Sequence, residues 1–236
     1  TSDNTTGSSN ITGTINGVAI GNTGTITLVE RPTVDSLLTN DSTPELTGSA
    51  VVFSGASLTV SVNARNYTEG DGNLTLTGNS WTLVIPASAE LSDGQYEVVA
   101  TVTDSVGQQS TDVTADELTV DVTLPTVSLD NTVGPDSTTT PAYTVAGSCS
   151  AVNDTLDLDI SDASTTLSRT GIACADDGNG GGSFSVVFDT TELDDGPISI
   201  NAIIRDTATN QATDQVNLVK DVCSPDNTVS RCDEDD

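Results

Sequence analysis

Apolar residues in this chain alternate with Thr, Ser and Asn at a period of two, and a helical period is hard to find anywhere. In 57–63, Leu58, Val60 and Val62 fall on one face while Ser57, Thr59 and Ser61 fall on the other. The same reading makes strands of 45–50, 80–85, 95–103 and 115–122, and then of 142–148, 155–161, 183–188, 198–205 and 215–220. Nearer the N-terminus, Ile11-Thr12-Gly13-Thr14-Ile15 alternates, Asn16-Gly17 is a hairpin-turn signal, and Val18-Ala19-Ile20 answers it. A third strand is expected over Thr25-Ile26-Thr27-Leu28-Val29. Thr, Val and Gly abound where a helix would call for Ala, Glu or Lys, so the expected class is all-β.

The strand pattern occurs twice. Trp81-Thr82-Leu83-Val84-Ile85, then Leu91-Ser92-Asp93-Gly94, then Thr101-Val102-Thr103-Asp104 return as Phe184-Ser185-Val186-Val187-Phe188, Leu193-Asp194-Asp195-Gly196 and Ile203-Ile204-Arg205-Asp206, at an offset of 102 or 103 residues. Asp121-Val122-Thr123-Leu124-Pro125 returns as Asp221-Val222-Cys223-Ser224-Pro225. A unit of about 100 residues made of short strands suits one β-sandwich, so two in tandem are expected. The boundaries read as 1–30 for an N-terminal strand segment, 31–124 and 125–224 for the sandwiches, and 225–236 for an acidic tail. Two or three strands cannot bury a face alone, so 1–30 must lean on its own first domain, complete a preceding repeat, or be donated to a neighbouring chain through Ile11, Ile15, Ile26 and Leu28.

Composition narrows the function. Only 34% of the chain is apolar and 3% aromatic, which makes each core thin and aliphatic. A net charge of −29, from 35 acidic against 6 basic residues, repels nucleic acid and anionic lipid and removes both as partners. Such acidity answers either to a saline habitat or to bound Ca²⁺. No apolar run is long enough to insert in a membrane as a helix. The chain has no Met, even at position 1, which suggests a mature product whose export signal has been removed. Without His, the commonest metal ligand and general base is missing. Cys149, Cys174, Cys223 and Cys232 lack the paired spacing of a zinc site, and an even count in an exported chain favours disulfides. The expected pairs are Cys149 with Cys174 and Cys223 with Cys232, out of three possible connectivities.

Several motifs in order resemble the bacterial Ig-like repeats of large surface adhesins and biofilm proteins. They are Asn40-Asp41-Ser42-Thr43-Pro44-Glu45-Leu46-Thr47-Gly48-Ser49-Ala50, the Trp81 strand, Asp93-Gly94-Gln95-Tyr96, Val102-Thr103-Asp104-Ser105-Val106-Gly107 and Val120-Asp121-Val122-Thr123-Leu124-Pro125. The match covers most of 31–124 and is looser over 125–224, where two cysteines and a glycine-rich insert intervene. The resemblance implies tandem Ig-like Greek-key sandwiches, often stiffened by Ca²⁺ at domain junctions. It would place ligands at Asp104 and Asp121 for one junction and at Asp206 and Asp221 for the other. Ca²⁺ takes six to eight oxygens, which carboxylates and carbonyls of such loops can supply. The bland alternative is that these are loop aspartates closing Asx turns.

Other candidates have simpler explanations. Trp81 and Phe184 hold equivalent positions and read as core anchors, with sugar stacking the alternative. Asp71-Gly72-Asn73 and Asp177-Gly178-Asn179 read as hairpin turns; the latter lacks the remaining ligand spacing of an EF-hand. With one lysine, Lys220, and no His, nucleophilic catalysis has almost no base, and seven aromatic residues make a poor glycosidase cleft. The chain therefore reads as a non-enzymatic extracellular or cell-surface protein, two rigid modules of a stalk or fibre. Its partners would be like subunits, flanking repeats or a host or surface ligand. The alternatives are a self-assembling filament subunit that donates its N-terminal strand, and a carbohydrate-binding module working through Trp81.

Overall fold

The computed structural model describes residues 9–15, 18–26, 30–135, 142–150, 154–176, 178 and 181–220, with the backbone alone for those before Glu30. By contact density the chain divides into two compact units, Thr1–Val122 and Thr123–Asp236.

In the first unit, β1 (Ser9–Ile15) and β2 (Val18–Ile26) form an antiparallel two-stranded sheet. The segment expected to separate a third strand before Thr25 lies within β2, where the register with β1 shifts between Ile11 and Gly13: Ile11 pairs with Gly24 and Gly13 with Ile20. Leu28 lies outside the described residues. Next come β3 (Thr33–Val34), β4 (Leu37–Thr39), β5 (Glu45–Ser49), β6 (Ser57–Val62), β7 (Arg65–Thr68), β8 (Leu74–Thr77) and β9 (Ser80–Val84). A 3-10 turn, Ala87–Ala89, leads to β10 (Gly94–Tyr96), β11 (Val98–Thr103), β12 (Gln109–Thr111) and β13 (Leu118–Val120). One sheet runs β3-β5-β9-β8, a second β12-β11-β6-β7, and a three-stranded one β10-β13-β4, in which β13 and β4 are parallel. First, second, fifth and fourth strands facing third, sixth and seventh is the immunoglobulin arrangement. Leu58, Val60, Val62, Trp81, Leu83, Val98, Ala100 and Leu118 close the core between the layers.

The sequence reading joined 95–103 into one strand. The chain instead changes sheets at Glu97; Val98 pairs with Val62 on one side, but on the other β12 pairs only from Thr101. The Glu117 carboxylate replaces it: Val98 N–H donates to Oε2 at 3.1 Å, and Glu117 is only 4% exposed. Asp71-Gly72-Asn73 also differs from expectation. It joins β7 to β8, which lie in different sheets, so it is a crossover rather than a hairpin turn. Asp177 and Asn179 lie outside the described residues.

The second unit holds β14 (Val127–Leu129), β15 (Ala142–Cys149), β16 (Thr155–Ser161), β17 (Thr166–Ala173), β18 (Ala175–Asp176), β19 (Gly182–Asp189), β20 (Gly196–Arg205) and β21 (Gln211–Lys220). The sheets β14-β15-β19-β18 and β17-β16-β20-β21 repeat the first unit's order, but β20 stays in one sheet for all 10 residues. A buried disulfide joins Cys149 to Cys174, with Cα atoms 6.3 Å apart. Cys223 and Cys232 fall outside the described residues.

One device shapes both cores. Gly48 pairs with Trp81, and Gly147 pairs with Phe184. The indole crosses the bare glycine so closely that a Cβ on Gly48 would stand 2.5 Å from Trp81 Cζ2 and 2.0 Å from Thr33 O. A Cβ on Gly147 would stand 2.6 Å from Phe184 Cζ and 2.1 Å from Ser128 O. In the first unit Trp81 Nε1–H also donates to Thr33 O at 3.0 Å, which pins β3 to the core.

Candidate functional site

The residues with most chemical potential lie in the loops that follow β11 and β20. Asp104 N–H donates to Gln108 O, Gly107 N–H to Asp104 O, and the amides of Val106 and Gln108 to Asp104 Oδ1. Asp206 builds the same loop: its N–H donates to Asn210 O, Thr209 N–H donates to Asp206 O, and Asn210 N–H donates to Oδ1. Asn210 Nδ2 adds a bond to Asp206 Oδ2. Gly107 and Thr209 share the left-handed position of this turn, φ +89° and +72°, so the second unit carries a β-branched residue where backbone sterics disfavour one. Asp121 donates its backbone N–H to Thr39 O at 2.9 Å, holding the end of β13 beside β4.

These carboxylates are turn-builders. No group of three His, Cys, Asp or Glu side chains that could hold a metal ion occurs among the described residues. Asp104 accepts its loop amides through Oδ1, and Asp206 through Oδ1 with Asn210 Nδ2 on Oδ2. Asp221 lies outside the described residues.

The strongest local electrostatics belong to Asp162, at the turn between β16 and β17. Its carboxylate accepts from the backbone amides of Ser164, Asp194 and Thr165, in that order of weight, and from the Ser164 hydroxyl. Together they hold its pKa down to about 2 from the ordinary 3.8. The Asp194 amide reaches Oδ2 at 2.5 Å and ties this turn to the corner before β20. The folded pKa lies below the unfolded one, so this tie is complete above about pH 4 and is lost as pH falls through about 2. A carboxyl titration followed by NMR should put the Asp162 midpoint near 2, and Asp162→Asn should leave the 193–195 corner more mobile at neutral pH. Asp189 is held low by the Thr191 hydroxyl and then its amide. At Asp71, slight burial acts upward but is outweighed by the amides of Asn73, Thr68 and Leu74, so its pKa falls below the usual value.

The corner that precedes β10 in the first unit and β20 in the second is tied differently in the two. Tyr96 Oη donates to Ser92 O at 2.8 Å, the tyrosine corner of immunoglobulin sandwiches. Ile198 holds that place in the second unit, and the buried Lys220 donates its amine to Leu193 O instead, with Asp195 Oδ1 at 3.9 Å. The one lysine is thus a structural tie. No local pattern in the chain signals it, since Lys220 and Leu193 meet only through the pairing of β20 with β21.

The sugar-stacking role for Trp81 is overturned. Trp81 is 0% exposed, its ring enclosed between the sheets and over Gly48. The outer face of the β12-β11-β6-β7 sheet offers neutral hydroxyls. Thr68, Thr59, Thr101 and Thr111 stand in one rank across four strands. Such side chains neither donate nor take protons readily at neutral pH.

Residues 32–122 match the family model of the bacterial Ig-like domain. The matched span lies within the first unit. Among curated proteins none matches the chain. Among solved structures, the fibronectin(III)-like modules of Clostridium thermocellum CbhA are similar at 14% identity, over 81% of this chain and 94% of that one, with a TM-score of 0.41. A structure from work on host cell surface retention of a 1.5-MDa bacterial ice-binding adhesin is similar at 18% identity over 81% of this chain and 64% of that chain, TM-score 0.42. A tetra-tandem repeat from the extending region of a large adhesion protein gives 23% identity over 84% and 51%, TM-score 0.37. The chain thus spans about half to two thirds of these two adhesin chains. No helix among the described residues is long and apolar enough to cross a membrane.

Proposed function

We propose that this is a non-enzymatic extracellular structural and adhesion protein, whose two Ig-like modules form part of a surface stalk or fibre. The observation that carries the reading is the parallel pairing of β4 with β13, Leu37 beside Leu118 and Thr39 beside Val120. Because these strands run the same way near the two ends of the module, tension on the chain loads their bonds in shear, all at once. Leu37 N–H donates to Glu117 O at 2.7 Å and Asp121 N–H to Thr39 O at 2.9 Å, the two ends of that clamp. In the second module the Asp214 carboxylate accepts Leu129 N–H at 2.8 Å and links β14 to the last strand.

Single-molecule stretching tests this. Two separate unfolding events are expected, the first module releasing roughly 300 Å of chain at about 3.4 Å per residue. The second releases less until a reductant frees the 25-residue separation between its cysteines. Leu37→Pro, which deletes one clamp bond, should lower the first module's unfolding force. Extension without resolved force peaks would defeat the reading.

A filament subunit that polymerises by strand donation is the second reading, and β1–β2, which pair with no other strand among the described residues, motivate it. Ca²⁺ is separable from this reading. Given the self-satisfied loops of Asp104 and Asp206, EDTA should leave the melting temperature of each module unchanged; a drop would show that a cation completes these loops.

A further inference from the structure

We propose that the second unit is the yielding element of the chain under tension. It opens before the first because one carboxylate, Asp214, joins its terminal strands where the first unit has a backbone ladder. This deepens the mechanical reading and rests on it. The two units can be compared position by position. Thr33 and Ser128 hold equivalent places, each with its carbonyl against the glycine that lies under the aromatic. Asp121 recurs as Asp221. By these offsets Leu37, Leu38 and Thr39 answer to Thr132, Val133 and Gly134, and Leu118, Thr119 and Val120 answer to Leu218, Val219 and Lys220.

In the first unit these segments pair residue for residue, and the Leu37–Glu117 and Asp121–Thr39 bonds extend the ladder at its two ends. In the second they touch without pairing. A Cβ on Gly134 would overlap Val219 O, yet among the described residues β21 pairs with β20 alone. Gly134 and Pro135 stand where β4 ends and Asn40 follows; glycine weakens a strand and proline adds no donor. The segment turns instead to β15. Asp130 N–H donates to Ala146 O at 2.9 Å, Asn131 Nδ2 to Thr144 O at 2.9 Å, Ala146 N–H to Asn131 Oδ1 at 3.1 Å, and Tyr143 Oη to Val133 O at 2.6 Å.

β15 and β21 belong to different sheets, so these bonds hold the segment down without joining the two ends of the unit. Between the sheets, tension is carried by apolar packing, which is non-directional, and by the 2.8 Å bond from Leu129 N–H to Asp214 Oδ2. That bond is charge-assisted, but it meets the load alone, whereas the bonds of the β4–β13 ladder share theirs. The disulfide then bounds the opening. Tension crosses from Cys149 to Cys174 through the bond, and β16 and β17 lie wholly between them, so this hairpin with its buried Leu156, Leu158 and Ile160 is not stretched.

Stretching the full chain by its two ends tests the order. The shorter release, that of the second unit, should come first and at the lower force. Reductant should lengthen that same event by about 85 Å, the 25-residue separation of the cysteines at about 3.4 Å per residue, and leave the later event unchanged. Asp214→Ala should lower the force of the earlier event alone. Asp159→Ala removes the same charge from β16, inside the disulfide loop, and should alter neither force. Two thermal transitions in each variant check that both units fold. Resolved events in the reverse order or at equal force overturn the proposal and leave the mechanical reading standing, as does an Asp214→Ala chain that yields like the wild type. Extension without resolved events defeats the mechanical reading, and this proposal with it.

Discussion

Gly48→Ala is expected to destabilise the first module by about 3 kcal/mol, at the upper end of overpacking costs. The added methyl has no space: Thr33 O lies 2.0 Å from its position and the indole atoms Cζ2 and Cε2 at 2.5 and 2.6 Å. Relief requires β3 to move out or Trp81 to leave its well, and either breaks the Trp81–Thr33 bond. Differential scanning calorimetry should then show the first module's transition roughly 12–24 °C lower, with the second module's unmoved. Gly147→Ala should do the converse through Ser128 O and Phe184. Ser49→Ala, one residue from Gly48 but exposed, should shift neither transition appreciably. A Gly48→Ala protein that melts like the wild type would show that the indole does not rest on this glycine.

Loss of the Cys149–Cys174 bond should have the other large effect, confined to the second module. Closing a loop of 25 residues removes denatured-state entropy worth about 3.5 kcal/mol on the chain-entropy model. Cys149→Ala with Cys174→Ala should lower the second transition accordingly and leave the first in place. Reductant added to the wild type should act only when that module opens, because both cysteines are buried, 5% and 2% exposed. A double variant with two unchanged transitions would mean that the bond contributes nothing to folding.

These two effects also mark how far the sequence could be read. Alternation located Leu58-Val60-Val62 and Val98-Ala100-Val102 because a half-buried strand imposes a period of two, and each of those residues is at most 2% exposed. It missed β3, β4, β7, β8, β12, β14 and β18, which are too short to show a period, and β17, whose Ser168, Arg169 and Thr170 face water. It fused β10 with β11, because alternation continues through Glu97 while the hydrogen-bond partners change. Trp81 was legible as an anchor, whereas Gly48 beneath it stood inside the resemblance motif with no role.

The aspartates show the same limit from the other side. Asp104 and Asp206 recur at matching places, which is all that a sequence can display. Only the loop geometry shows that their oxygens serve Val106, Gln108 and Asn210.

By itself the sequence determined the class, the duplication and the inward positions, since strand periodicity and a repeat offset are properties of order along the chain. The tertiary structure decided which glycine lies under which aromatic, that Lys220 replaces Tyr96 at the corner, and that β4 lies parallel to β13. Each of those joins residues far apart in the chain, and such contacts exist only once the sheets have paired and closed over a common core.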